Sequence, residues 1–127
     1  VRLVVRDLDI PVSVEVVPTF RDLDGLTVSQ TTLALSATQR EDATCFAKAL
    51  FAGVREAASS GSGAAVLAAT REALNDSEAE IEYLDLVDPI SFESWQADGP
   101  STACLIAAVK LGEVRLSDNQ LVVLSRP

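Results

Sequence analysis

Hydrophobic positions recur at two spacings along this chain, and the change between them falls near Asp76. Before it, apolar residues lie three and four apart; after it, they alternate. A 3.6-residue period collects side chains on one helix face, and a two-residue period collects them on one sheet face. The clearest helical stretch begins at Ser36-Ala37-Thr38-Gln39, which fits a capping box: the serine hydroxyl and the glutamine side chain each satisfy a free backbone donor. Behind it Ala43, Phe46, Ala47, Leu50, Val54, Ala57 and Ala58 form an apolar stripe, with Arg40, Lys48 and Arg55 off it. The stripe predicts a helix from Ser36 to about Ala58. Ser59-Ser60-Gly61-Ser62-Gly63 is a flexible link, followed by an Ala-rich helix from about Ala64 to Leu74 that Asn75-Asp76-Ser77 ends. So short a link makes the two helices antiparallel neighbours.

Three strands are expected after the switch. Glu80–Asp88 alternates, with Ile81 and Tyr83, and as further candidates Leu84 and Leu86, apolar against Glu82 and Asp85, and closes at Pro89. A polar stretch holding Trp95 and Gly99-Pro100 leads to a buried strand, Thr102–Lys110, and a turn at Leu111-Gly112-Glu113. Val114–Leu116 reads as a short strand or bend, Asp118-Asn119 as a further turn, and Gln120–Leu124 as the last strand. Upstream of the helices, Val1, Val4, Val5 and Leu8 have helical spacing up to a break at Asp9-Ile10-Pro11. Val12–Val17 is β-branched and alternating and stops at Pro18, a strand signature. Asp24-Gly25 is a turn signal, and Leu26–Leu35 has no clear period. The fold class is therefore α+β: a two-helix pair on a small antiparallel sheet, preceded by one strand that belongs to a different, larger sheet.

Composition narrows the chemistry. Of 127 residues, 48% are hydrophobic and 23% charged, a globular balance in a chain long enough for its own core. The net charge of −9 repels phosphate backbones and acidic membrane surfaces, so neither nucleic acid nor membrane is an expected partner. With no histidine, Ser-His and Cys-His catalysis and the commonest metal ligand are excluded. Cys45 and Cys104 read as small buried hydrophobes in a reducing compartment. The chain has no methionine and opens in mid-pattern, which points to a fragment of a longer protein. Asp22 and Asp24 read as solvated turn residues, and with Glu15 they could chelate a metal on paper only. Arg115 and Asp118 read as an ion pair or turn contact shaping the last hairpin, with contact to a partner domain as the other option. Trp95 is expected to pack over the sheet edge.

Three segments carry a family resemblance. Val17-Pro18-Thr19-Phe20-Arg21-Asp22-Leu23-Asp24-Gly25-Leu26 is similar to V-P-T-x-R-[ED]-x-D-G-L. Leu35-Ser36 with Gln39-Arg40 is similar to Y-L-[ST]-x-x-[EQ]-R. Ala107-Ala108-Val109-Lys110-Leu111-Gly112-Glu113-Val114-Arg115-Leu116-Ser117-Asp118-Asn119 is similar to A-A-[RW]-x-G-x-x-R-L-I-D-N. In this order they resemble the C-terminal domain of the pantothenate synthetases, ATP-dependent pantoate–β-alanine ligases. The resemblance implies that residues 1–25 end a Rossmann-like nucleotide-binding domain or linker, and that residues 26–127 form a lid-like domain closing over ATP. It also implies an adenylylation domain with an HxGH motif, in cis or trans, as partner, ATP with Mg2+ as cofactors of the complete enzyme, and a cytoplasmic setting. A homo-oligomer is compatible with it. No catalytic residue falls on this chain.

The ATP-binding positions implied by the resemblance are Phe20, Val28, Ser29, Gln30 and Thr31. The family's M-S-S-R-N run, whose serines and arginine grip phosphates, is here Val28-Ser29-Gln30-Thr31-Thr32. Only Ser29 is kept, and Thr31 brings no charge where the family has arginine. Losing one charge-assisted contact costs on the order of 1.5–3 kcal/mol. Ser29–Thr32 is thus either a weakened anion cup or a polar linker before a capped helix. The chain as a whole is either a ligase lid or a diverged, non-catalytic binding or regulatory module.

Overall fold

Arg2–Asp7 forms a single helical turn and a half, α1, which ends where Asp9 takes a positive φ and Pro11 can offer no N–H. These features belong to a computed structural model that describes residues 1–75 and 77–125. The expected strand at Val12–Val17 is absent: the segment runs without secondary structure, and Val12, Val16 and Val17 are exposed. A β-branched run becomes a strand only against a partner edge, and none of the described residues pairs with this one.

Ser29 caps a four-residue helix, α2, over Gln30–Leu33, inside the stretch that showed no period. Ser36 then caps α3, Ala37–Ser60, with the capping box intact: Gln39 N–H donates to Ser36 Oγ and Ser36 N–H donates to Gln39 Oε1 at 3.0 Å. Gly61, in the left-handed region, ends α3, and Ser62 caps α4, Gly63–Leu74. Of the expected Asn75–Ser77 helix end, Asp76 lies outside the described residues, while the Ser77 hydroxyl donates to Leu74 O at 2.7 Å.

The α3 stripe buries Ala43, Phe46, Ala47, Leu50 and Ala57 as expected. Ala58 is exposed instead, and Ala49 and Gly53 are buried. Gly53 marks a close approach between layers, since a Cβ there would lie 2.3 Å from Thr70 Oγ1 on α4 and 2.8 Å from a Leu105 methyl of the sheet.

β1 (Glu80–Val87), β2 (Thr102–Leu111) and β3 (Val114–Val123) form an antiparallel sheet in the order β1-β2-β3. The α+β architecture read from the sequence is therefore the one observed. Ala103, Leu105, Ala107, Val109 and Leu111 of β2 share the core with α3 and α4. Each large apolar side chain withdrawn there contributes about 1.5–3 kcal/mol.

Two details of the sheet differ from the expected alternation. The register shifts between Ile81 and Tyr83, so Ile81 and Leu84 pack on the core and Tyr83 is turned to solvent. One extra residue in a bulge reverses the faces that follow it. β3 is also continuous, with no turn at Asp118-Asn119: Asp118 pairs with Ala107 and Asn119 with Ile106 in an unbroken ladder. Turn-forming residues stay in a strand when the ladder and a side-chain partner outcompete local bonding, and Asp118 has such a partner.

Candidate functional site

The segment Phe20–Val28 folds back on itself. Arg21 bridges Thr27, Asp22 N–H donates to Leu26 O at 2.9 Å, and Val28 N–H donates to Phe20 O at 3.1 Å. Asp22 builds the turn, its Oδ1 accepting from Asp24 N–H and Leu26 N–H, both at 3.0 Å. Gly25 closes it at φ 83, with Phe51 of α3 so near that a Cβ would meet its ring at 2.7 Å. Only glycine suits both the backbone angle and the space. Leu26 is then buried in the core.

Ion pairs fix this hairpin to the layers on either side. Arg21 forks onto Asp118 of β3, Nη1 to Oδ2 at 2.6 Å and Nη2 to Oδ1 at 2.9 Å. The same guanidinium donates to Gly25 O at 2.9 Å and Asn119 O at 3.2 Å and lies 5.5 Å from the centre of the Phe51 ring. The side chains are only 17% and 4% exposed, which sets this pair apart from the surface pairs of the chain. On the other side Arg40 of α3 donates to Asp22 Oδ2 and, at 3.5 Å, to Asp24.

These contacts correct two expectations. Asp24 is a solvated turn residue as expected, but Asp22 is drawn onto Arg40, and Asp118 does not shape the last hairpin but holds a residue 97 positions earlier in the chain. Arg115 does make an ion pair, with Glu82 of β1 at 2.6 Å, and that hydrogen bond holds its pKa above the ordinary value. Arg21 stood in the quoted motif without a role of its own. Its signal was a lone arginine among apolar and acidic neighbours, which reveals no partner so distant in sequence.

The implied ATP positions are brought partly together. Phe20 and Val28 sit opposite each other, and neither Phe20 N–H nor Val28 C=O has a backbone partner among the described residues. Ser29 is occupied as a cap, its hydroxyl accepting from Thr32 N–H at 3.2 Å. Thr32 is buried and donates to Thr27 O at 2.7 Å. Gln30 and Thr31 are exposed on the first turn of α2 and bring no charge. The carboxylates here do not form a Mg2+ cage: Asp22 is engaged by Arg40, and among the described residues no group of three acidic, Cys or His side chains could hold a metal ion.

Elsewhere, Cys104 is buried, and burial raises its thiol pKa; Cys45 is exposed on α3, contrary to expectation. Trp95 packs against the core and donates from Nε1 to Pro100 O at 2.7 Å, so it behaves as an edge cover. No helix is long and apolar enough to cross a membrane among the described residues.

The Asp22 carboxylate has a testable pH signature. Partial burial raises its pKa, but the hydrogen bonds from Arg40, Leu26 N–H and Asp24 N–H outweigh this and hold it below the ordinary value. A carboxylate depressed in the folded state adds stability above its unfolded pKa, and that stability is lost as pH falls through the folded value. Urea midpoints of the chain should therefore fall on acidification below the usual carboxylate range. Asp22→Asn should flatten that acid limb and lower the midpoint at neutral pH. An unchanged limb would show that the Arg40 contact is immaterial in solution. Asp88, held down by Ser91 and Ile90 N–H groups, should supply the slope that remains.

Fold and hairpin together define an α+β domain of two packed helices on a three-stranded antiparallel sheet. The chain superposes with a TM-score of 0.85 on a crystal structure of pantothenate synthetase from Thermus thermophilus, at 38% identity, over 94% of this chain and 43% of that one. It belongs to the pantoate-beta-alanine ligase family, whose model matches residues 1–121. Similar curated proteins include a pantothenate synthetase of Thermobifida fusca (strain YX), 46% identical over 94% of this chain and 41% of the relative. Another, from Chloroflexus aggregans, is 39% identical over 97% and 45%. A bifunctional pantoate ligase/cytidylate kinase of Synechococcus sp. (strain WH7803) is 35% identical over 99% of this chain and 26% of its own length. The chain thus spans less than half the length of these relatives.

Proposed function

We propose that the chain is the C-terminal, lid-like part of an ATP-dependent pantoate–β-alanine ligase, with residues 26–127 as the lid and residues 1–25 leading from a Rossmann-like adenylylation domain. The observation that carries this reading is the family match over residues 1–121 on a retained fold. In the reaction implied, the pantoate carboxylate attacks the α-phosphorus of ATP and pyrophosphate leaves. The β-alanine amine then attacks the acyl carbon, forming the amide and releasing AMP. This chain's share is binding. Phe20 N–H and Val28 C=O are a donor and an acceptor on the two facing arms of the hairpin, the complement of the acceptor and donor on an adenine edge. Ser29 would lie toward the phosphates, and water would be excluded by closure.

A second reading has its own support. The Ser29 hydroxyl is taken up in a cap, and positions 30 and 31 are uncharged, as in a module that has lost its grip on phosphate. The two readings part in one experiment. The chain alone, given ATP, pantoate and β-alanine, should release no AMP above background, because it carries no histidine for the HxGH motif assigned to the adenylylation domain. Fused to the remainder of the Thermobifida fusca relative, it should form AMP only when both substrates are present. A fused protein that folds, lacks this activity and does not gain it when charge is restored at position 31 would favour the non-catalytic module. AMP formation by the chain alone, lost on denaturation, would overturn the division of labour.

A further inference from the structure

We infer that Arg21 and Asp118 are a positioning pair for the nucleotide-facing hairpin: they set the Phe20–Val28 spacing and through it the affinity for ATP. This rests on the reading above, in which that hairpin meets adenine. The hairpin's own bonding is sparse, an isolated bridge at Arg21–Thr27 with the Asp22–Leu26 and Phe20–Val28 hydrogen bonds, and a pair of strands this short does not hold its shape unaided. Phe20 and Val28 are exposed, so burial does not fix them.

Leu26 in the core and the Thr32 hydroxyl on Thr27 O anchor the returning arm, and a single guanidinium ties both arms to the sheet. It sits one residue from Phe20, grips the turn through Gly25 O, grips β3 through Asp118 and Asn119, and rests on the Phe51 ring. Asp118 is itself held in place, since its Oδ1 also accepts from Asn119 N–H at 2.7 Å. The clamp thus ties the hairpin to β3, an edge strand of the sheet paired with β2. The planar fork is required, because a lysine ammonium cannot bond both carboxylate oxygens and the Gly25 carbonyl in that plane. Arg40 secures only the far end of the turn, through Asp22 and Asp24.

The test uses Arg21→Lys, which keeps the charge and removes the fork, and Asp118→Asn, which keeps the shape and removes the charge. Leu50→Ala, a core change away from the hairpin, is the control for general destabilisation. In the chain itself, amide hydrogen exchange at Val28 and Asp22 should quicken about ten- to a hundredfold in both clamp variants, the factor matching loss of one charge-assisted hydrogen bond. It should stay near its original rate in Leu50→Ala under conditions where that variant remains folded. In the protein fused to the remainder of the Thermobifida fusca relative, Arg21→Lys should raise KM for ATP while kcat and KM for β-alanine stay close to their starting values. Unchanged exchange at Val28 in both clamp variants overturns the inference, as does an equal rise of KM in Leu50→Ala at matched loss of stability. Faster exchange with an unaltered KM for ATP upholds the clamp on the hairpin, overturns its role in ATP affinity, and counts against the nucleotide reading of the hairpin. Should Asp118→Asn fail to fold, Arg21→Lys alone decides the matter.

Discussion

Phe46→Ala is expected to remove about 3–5 kcal/mol of folding stability, the cost of emptying a buried aromatic site. Phe46 is 2% exposed and is the largest fully buried side chain among the described residues. It projects from α3 into the cluster shared with Leu105, Val109 and Leu116 of the sheet, so the hole would open between two packed layers. A domain of ordinary stability holds only about 5–15 kcal/mol in reserve, and this change would consume a large part of it. Urea unfolding at neutral pH should show a lower midpoint with little change of slope. Ala58→Ser, on the exposed face of the same helix, should shift the midpoint by less than about 0.5 kcal/mol, as surface changes usually do. Equal effects at the two positions would mean that the helix does not pack by the observed face.

That contrast also marks how far the sequence could be read. The stripe of α3 is legible because helix geometry repeats locally: three- and four-residue steps identify Phe46 and Leu50 as core without any knowledge of the partner. The same local rule misjudges Ala58, where the stripe drifts off the buried face near the helix end. The sheet is legible in its strands and order of succession, yet the bulge at Ile81–Tyr83 inverts the outward face, because alternation records a period and not a phase. Asp118-Asn119 reads as a turn on composition, and the ladder to β2 together with the Arg21 side chain, 97 residues away, keeps it in a strand. Val12–Val17 has strand chemistry without an edge to join. The pattern in each miss is that a distant partner decides the outcome. The candidate site divides in the same way: the loop positions follow from a local motif, whereas the clamp that holds them is visible only once the chain is folded.

Gln30→Ser with Thr31→Arg is expected to lower KM for ATP about ten- to a hundredfold in the protein fused to the remainder of the Thermobifida fusca relative, since one charge-assisted contact to phosphate is worth roughly 1.5–3 kcal/mol. The local fold should tolerate both changes. Gln30 and Thr31 are exposed, and α2 is held by Ser29 and Thr32, whose hydroxyls and backbone groups close the capping box and reach Thr27 O. Neither substitution touches those bonds. A guanidinium at position 31 offers a fork to phosphate oxygens, and a serine at position 30 offers a second hydroxyl that no cap has claimed. The chain's net charge of −9 opposes a polyanion only weakly at ordinary ionic strength, because exposed charges beyond about 10 Å are screened. In the chain alone, calorimetry with submillimolar ATP should show no binding before or after the double substitution, as half of the site would be missing. Tight binding by the unaltered chain would place ATP somewhere other than this loop. No gain in the fused protein, with folding intact, would mean that the turn following Leu26 does not face phosphate and that the kinship of this domain extends to its fold but not to its ligand.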